Sequence, residues 1–362
     1  RGEKFGAGAS SLHPVVRVTG NFTSENPLSE IVSKAISAAF EAGWADPKKL
    51  SQASQRAKIL QNQALEALAS GLGIRVDQME IVGESELATY LCIAGFLDPS
   101  RHLSVGAIDR GKIRAFTRTH QNYSIVPVDQ NGYLDASQIT ADSILSLQIS
   151  NGETGIRQDI DLLATKAQTV VLDATYSGSR IALGDRWDGA IFSSHAWGGP
   201  TGISIMAIAN SQQWRYPLPH IAPIRTPGGY SLPLLLGAAV ALENFAEDHV
   251  KIDSLNLYLR QKIASALPTA IVVGANSERL SNHQTIIVPG TVSEMLVREL
   301  EASSISIDAG SACSPADLAP SHVLAAMGLP TEGSIRITLR QDHSESDIDS
   351  FVSALVEVCR NF

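Results

Sequence analysis

Cysteine is scarce: the 362 residues hold only Cys92, Cys313 and Cys359. Three scattered thiols exclude a disulfide framework or a cysteine-based zinc site. Positive charge is short as well, with 28 Lys+Arg against 37 Asp+Glu and a formal charge of −9. The broad basic field of non-specific nucleic-acid binding is therefore missing. No apolar run reaches the about 18 residues of a membrane span, and the first ten residues carry no apolar signal core. Charged residues make up 18%, too many hydrophobics (44%) accompany them for disorder, and the length allows two domains. These absences predict a soluble, cytoplasmic protein with neither a nucleic-acid nor a membrane partner.

What is present is periodic. Helical spacing runs over 30–42 and 51–72, with Gly43 and then Gly71 and Gly73 as stops. Short apolar strands then alternate with helices: strands at 80–82, 103–107, 123–127, 143–149, 169–172, 190–193 and 203–209, with helices at 84–94, from Lys112, near 135–140 and at 158–167. Such alternation implies βαβ units and a mostly parallel sheet with helices on both faces. A proline-rich stretch, 215–233, leads into helices at 234–247 and 251–266. A block at 270–362 mixes strands near 270–274, 284–288, 305–308 and 334–339 with helices near 292–302, 320–327 and 345–360. The boundaries are set at 18–250 for a large domain and 251–362 for a small α+β C-terminal domain, against which the N-terminal helices are expected to pack.

Parallel sheets place chemistry at the carboxyl ends of their strands. Those ends carry Glu84 and Glu86, Asn151 and Gly152, Asp173, and His195. Taken alone, Asp173 reads first as a helix cap or a hydrogen-bond partner for a loop, and a lone histidine is more often structural than catalytic. Cys313 stands in the loop Gly310-Ser311-Ala312-Cys313-Ser314, where a thiol is mobile enough to reach a substrate, or merely small enough to fill the turn. Cys92 and Cys359 lie on apolar helical faces and read as core. Arg336, inside an apolar strand, needs a carboxylate partner, its own or a substrate's.

In order and spacing these segments resemble one family. Ser193-Ser194-His195-Ala196-Trp197-Gly198-Gly199 is similar to the lysine segment of cysteine desulfurases, class V aminotransferases of the fold-type I pyridoxal phosphate (PLP) group. The Cys313 loop resembles the family's nucleophile loop, and 321–328 with Ser334-Ile335-Arg336 resembles the stretch that comes after it. Segments 127–132 and 151–155 fall in family order, and the likeness runs from about residue 18 onward. The resemblance implies an α/β fold-type I PLP-transferase-like large domain, with a mostly parallel sheet and a smaller α+β domain. It further implies a lysine after His195 that holds PLP, an aspartate (Asp173) on the pyridine nitrogen, a persulfide-forming thiol (Cys313), and an arginine (Arg336), with Asn151 beside it, on the substrate carboxylate. It also implies a homodimer in which a loop matched by Arg225–Gly229 reaches the neighbour's phosphate.

The chain departs from that pattern at the cofactor. Ala196 stands where the lysine should be, and a methyl group forms no imine. The phosphate-cupping turn aligns with Gly83-Glu84-Ser85-Glu86, the stacking histidine with Arg110, the ring-hydroxyl asparagine with Gly152, and the glutamine after the aspartate with Tyr176. Pro227 and Gly228 replace small and hydroxyl residues in the loop donated to the neighbour. The expectation is therefore a pseudo-enzyme without PLP, an interaction or regulatory subunit in sulfur or iron–sulfur metabolism, pairing with itself, with an active desulfurase or with a sulfur acceptor. Three alternatives stay open: a PLP-independent persulfide carrier through Cys313, its thiol activated by His322 or Arg336; an active PLP-dependent desulfurase with an engineered change at Ala196; and a new ligand in the altered crevice. No spacing supports a metal.

Overall fold

The computed structural model describes residues 20–220, 228–309 and 320–360. Helices α1 (Glu30–Ala42) and α2 (Gln52–Leu72) lead into the large sheet. Its strands are β1 (Met79–Val82), β2 (His102–Gly106), β3 (Tyr123–Val126), β4 (Ser143–Gln148), β5 (Thr169–Asp173), β6 (Gly189–Ser193) and β7 (Ser204–Ile208). Three helices sit among them: α3 (Ser85–Ala94), α4 (Gly111–Arg114) and α5 (Ile160–Ala164). Helix α6 (Leu232–Glu243) closes the large lobe, and α7 (His249–Ala266) opens the small one. The small lobe continues through β8 (Ile271–Val272), β9 (His283–Ile287), α8 (Ser293–Ala302), β10 (Asp308–Ala309), α9 (His322–Ala326), β11 (Ser334–Thr338) and α10 (Glu345–Arg360).

The large sheet has the order β1-β7-β6-β5-β4-β2-β3. β7 runs antiparallel to both neighbours, and the pairs from β6 to β3 are parallel. Because β1 and β6 both oppose β7, they run the same way. The carboxyl ends of β1, β6, β5, β4 and β2 thus share one rim. Period-two alternation splits the strand side chains between two cores. Leu145, Leu147, Val170, Leu172 and Phe192 pack under α1, α2 and α6, while Ile144, Val171 and Ile191 pack under α3. Burial on both faces is why these strands are almost wholly apolar.

The second, four-stranded sheet has the order β10-β11-β9-β8 and is entirely antiparallel. It packs with α7, α8 and α10 around Leu259, Ile286, Leu296, Ile335 and Phe351. The N-terminal helices do not join it, contrary to the sequence expectation. α1 and α2 pack on α6, with Val32, Ala57 and Leu68 in the large core. The short segment before them makes the crossing instead. Phe22 is buried in the small core, its N–H donates to the Ser306 carbonyl at 2.8 Å, and its carbonyl accepts from Thr338. The apolar periodicity of a helix shows that it packs, not on which lobe.

Candidate active site

Each residue singled out at a strand end stands on the shared rim, and their contacts differ from what spacing implied. Asp173, the last residue of β5, is 1% exposed. Its Oδ2 accepts from Arg110 Nε at 2.6 Å, and its Oδ1 accepts from the Thr175 N–H at 3.0 Å and the Thr175 hydroxyl at 2.6 Å. Arg110 reaches it from the loop after β2, which lies two strands away across β4. A second guanidinium nitrogen of Arg110 donates to Thr89 Oγ1 at 2.8 Å. Burial works against the Arg110 charge, and the Asp173 carboxylate more than restores it, holding the pKa above its ordinary value.

At the carboxyl end of β1, Glu84 is the N-cap of α3. Its carboxylate accepts from the backbone N–H groups of Glu86 at 2.8 Å and Leu87 at 2.7 Å. Helix N-termini attract anions because their first N–H groups lack partners, and here a side chain already satisfies two of them. Glu86 pairs with Lys112 at 2.8 Å. Gly152 faces the Tyr176 ring, and a Cβ built at 152 would lie 3.6 Å from it. Tyr176 packs edge-on to His283 with ring centroids 5.4 Å apart.

Beneath the Arg110–Asp173 pair lies Asp109, 1% exposed, with Oδ2 accepting from the Gly106 N–H at 2.9 Å and Oδ1 unpartnered. Burial, aided by Asp173 and opposed by the Gly106 N–H and Arg110, pushes its carboxyl up to about 7. A carboxyl raised from 3.8 in the fold is stabilising when protonated, and that contribution fades as pH climbs from 3.8 through 7. Asp109→Asn keeps an acceptor for Gly106. It is expected to raise the urea midpoint at pH 8, leave it nearly unchanged at pH 4, and flatten the slope between. An unaltered slope would assign the pH dependence to other groups.

A cleft of about 590 Å³ opens between the lobes, lined by His195, Ala196, Thr175, Tyr176, Asp308 and Arg336 among others. His195 and Ala196 form a 3₁₀ turn after β6, and the His195 side chain is exposed. The Ala196 carbonyl accepts from Arg180 Nη1 at 2.6 Å, and Arg180 is also paired with Glu247, both side chains being mostly buried. Arg336 lies on β11 opposite Asp308 and donates through Nε to the Ala309 carbonyl at 3.1 Å. No carboxylate lies within ion-pair distance of it among the described residues.

Asn151 does not present its amide to the cleft. The side chain is buried, donating to the Ile108 carbonyl and Gln148 while accepting from Glu153 N–H, Thr154 N–H and the Thr154 hydroxyl. Its role is to fold the 151–155 turn. Burial lowers the pKa of His322, despite its bond to the Asp109 carbonyl at 2.9 Å. Cys313 and residues 225–227 lie outside the described residues. Cys92 is fully buried and its thiol is pushed up by burial, while Cys359 is only half-buried against the small core. Among the described residues no cluster of three metal-ligating side chains occurs, and no helix is long and apolar enough to cross a membrane.

No protein-family model matches the chain. Among curated proteins it is similar to the cysteine desulfurase IscS of Clostridium botulinum, 25% identical with 89% of each sequence covered. It is 27% identical to the cysteine desulfurase NifS of Azotobacter vinelandii over 63% of this chain and 62% of that one. In fold it is similar to a NifS-like protein from Rickettsia africae, with a TM-score of 0.81 at 21% identity, covering 94% of this chain and 99% of the other. Over most of its length the chain is thus similar to cysteine desulfurases, and its fold is that of the NifS-like proteins.

Proposed function

We propose that this desulfurase-like protein has given up PLP and cysteine turnover and serves as an interaction or regulatory subunit in sulfur or iron–sulfur metabolism. The observation that carries the reading is the Arg110–Asp173 pair at 2.6 Å. The carboxylate that the family resemblance assigns to a pyridine nitrogen already holds a guanidinium, and its other oxygen is taken by Thr175. The residues present do not fit the cofactor at its other end either. Glu84 occupies the helix N-terminus that would cup a phosphate, and Ala196 supplies no amine. Two like unit charges 4 Å apart repel by about 4 kcal/mol at an effective dielectric of 20, and a phosphate ester carries nearly two.

Protein purified with PLP throughout, then desalted, is expected to be colourless and to show only its own mass under native conditions. Stoichiometric PLP surviving desalting would overturn the reading. The subunit role makes a separate demand. Native mass spectrometry of the protein mixed with an active desulfurase or a sulfur acceptor is expected to show a mixed complex beside the homodimer. A chain that associates with neither would not be a regulatory subunit.

A further inference from the structure

Behind the cleft, on the seam between the lobes, lies a second cavity of about 220 Å³. The Arg180–Glu247 ion pair lines both spaces. Apart from that pair, the fixed charges lining the second cavity are Arg157, Arg279 and Asp253. Backbone pairing brings the two arginines together. The Arg157 N–H donates to the Glu278 carbonyl at 2.9 Å, and Ile156 bridges Arg279 across antiparallel segments.

Neither guanidinium has a carboxylate within ion-pair distance among the described residues. Arg157 makes no side-chain hydrogen bond there at all, and its Nε is buried without a partner. Arg279 spends its outer nitrogens on Gln284 and on the carbonyls of Thr154 (2.9 Å) and Val273 (3.0 Å), leaving Nε buried and unpartnered. Burial, with Arg260 close by, pushes the Arg279 pKa down to about 10, the mark of a cation lacking a counter-charge. Buried donors are ordinarily bonded and buried charges ordinarily paired. Asp253, exposed on α7, offsets only one of the two positive charges. The unpartnered atom of Asn282 in the same lining is its Oδ1, an acceptor, which offers an anion nothing.

We propose that this cavity binds a small oxyanion, the phosphate group of a phosphorylated metabolite, gripped by the free fork of Arg157 in the field of Arg279. A guanidinium fork matches phosphate oxygens in a way a point charge cannot. The site is separate from the cofactor region and does not depend on the proposed loss of PLP. Its occupant would sit against Arg180, whose remaining nitrogen holds the Ala196 carbonyl at the floor of the cleft.

Titration calorimetry on the full chain in chloride buffer tests the site with two probes, inorganic phosphate and glycerol phosphate. Saturable binding of both is expected, about tenfold or more weaker in Arg157→Gln, and tighter in Asp253→Asn, which removes the offsetting charge. Arg157 bonds to no described side chain, so its variant should melt with the wild type and the comparison stays interpretable. Binding of phosphate but not its ester would overturn the metabolite assignment. Absence of saturable heat, or Arg157→Gln binding as the wild type does, would overturn the site. Desalted protein that still held PLP would bear on the cofactor reading and leave this result untouched.

Discussion

Arg110→Met is expected to cost about 3 kcal/mol of folding stability, read as a lower urea midpoint with an unchanged denaturant slope. The substitution leaves the Asp173 carboxylate, 1% exposed, with Thr175 as its only partner. Removing one member of a buried ion pair costs roughly 3–5 kcal/mol because the survivor is stranded away from water. The lower end applies here, since the Arg110 side chain is 27% exposed and water can approach through the gap it leaves. The same physics predicts the rescue. Replacing both partners, Arg110→Met with Asp173→Leu, removes the stranded charge and is expected to recover most of the loss. If Arg110→Met instead cost only the few tenths of an exposed pair, the bond would be a surface contact and Asp173 would be free for another ligand.

That pair also marks how far the sequence could be read. The seven strands of the large sheet fall within one or two residues of their expected positions. Runs such as Thr169–Asp173 are buried on both faces, and continuous apolar character is the strongest signal a strand can give. Helix ends were less legible. The helix expected over 158–167 shrinks to Ile160–Ala164, where Asp159 caps the start and the chain tightens after Thr165. The strand expected at 305–308 appears only as Asp308–Ala309, because Ser306 pairs instead with the N-terminal segment through Gly20 and Phe22. That pairing joins positions nearly 300 residues apart, and no local pattern announces it.

The site was legible as a set of positions and illegible as a set of contacts. Glu84, Arg110, Asp173 and His195 share a rim because β1, β2, β5 and β6 run the same way. The sequence indicates this once the strands are placed. It indicates, too, that Glu84 opposes an anion. It does not show that the carboxylate turns back onto its own helix, nor that Arg110 crosses a neighbouring strand to reach Asp173. Asn151 shows the converse: a polar residue at a strand end, a natural candidate for holding a ligand, satisfies its hydrogen bonds within its own turn. Arg157 and Arg279 carried no signal, since neither lies in a motif and only backbone pairing between distant segments unites them.

If side chains have taken over the cofactor's charges, restoring the lysine alone will not restore the cofactor. Ala196→Lys by itself is expected to remain colourless when PLP is added. The new amine would meet a site whose anion cradle is held by Glu84 and whose aspartate is held by Arg110. Adding Glu84→Ala frees two helix N–H groups and removes the like charge, a Coulomb relief on the order of several kcal/mol. Adding Arg110→His releases Asp173 and returns the ring that the family resemblance places there. Gly152→Asn completes the set, its Cβ meeting the Tyr176 ring at an ordinary contact distance of 3.6 Å. Absorbance of the PLP-treated, desalted protein is expected to appear only when Glu84 and Arg110 are changed together with Ala196, rising by more than the sum of the separate steps. Each blocking charge opposes the same ligand, so removing one while the other remains gains little. Colour in the single Ala196→Lys variant would mean that the two side chains yield readily to PLP, and that the missing amine alone separates this chain from its relatives.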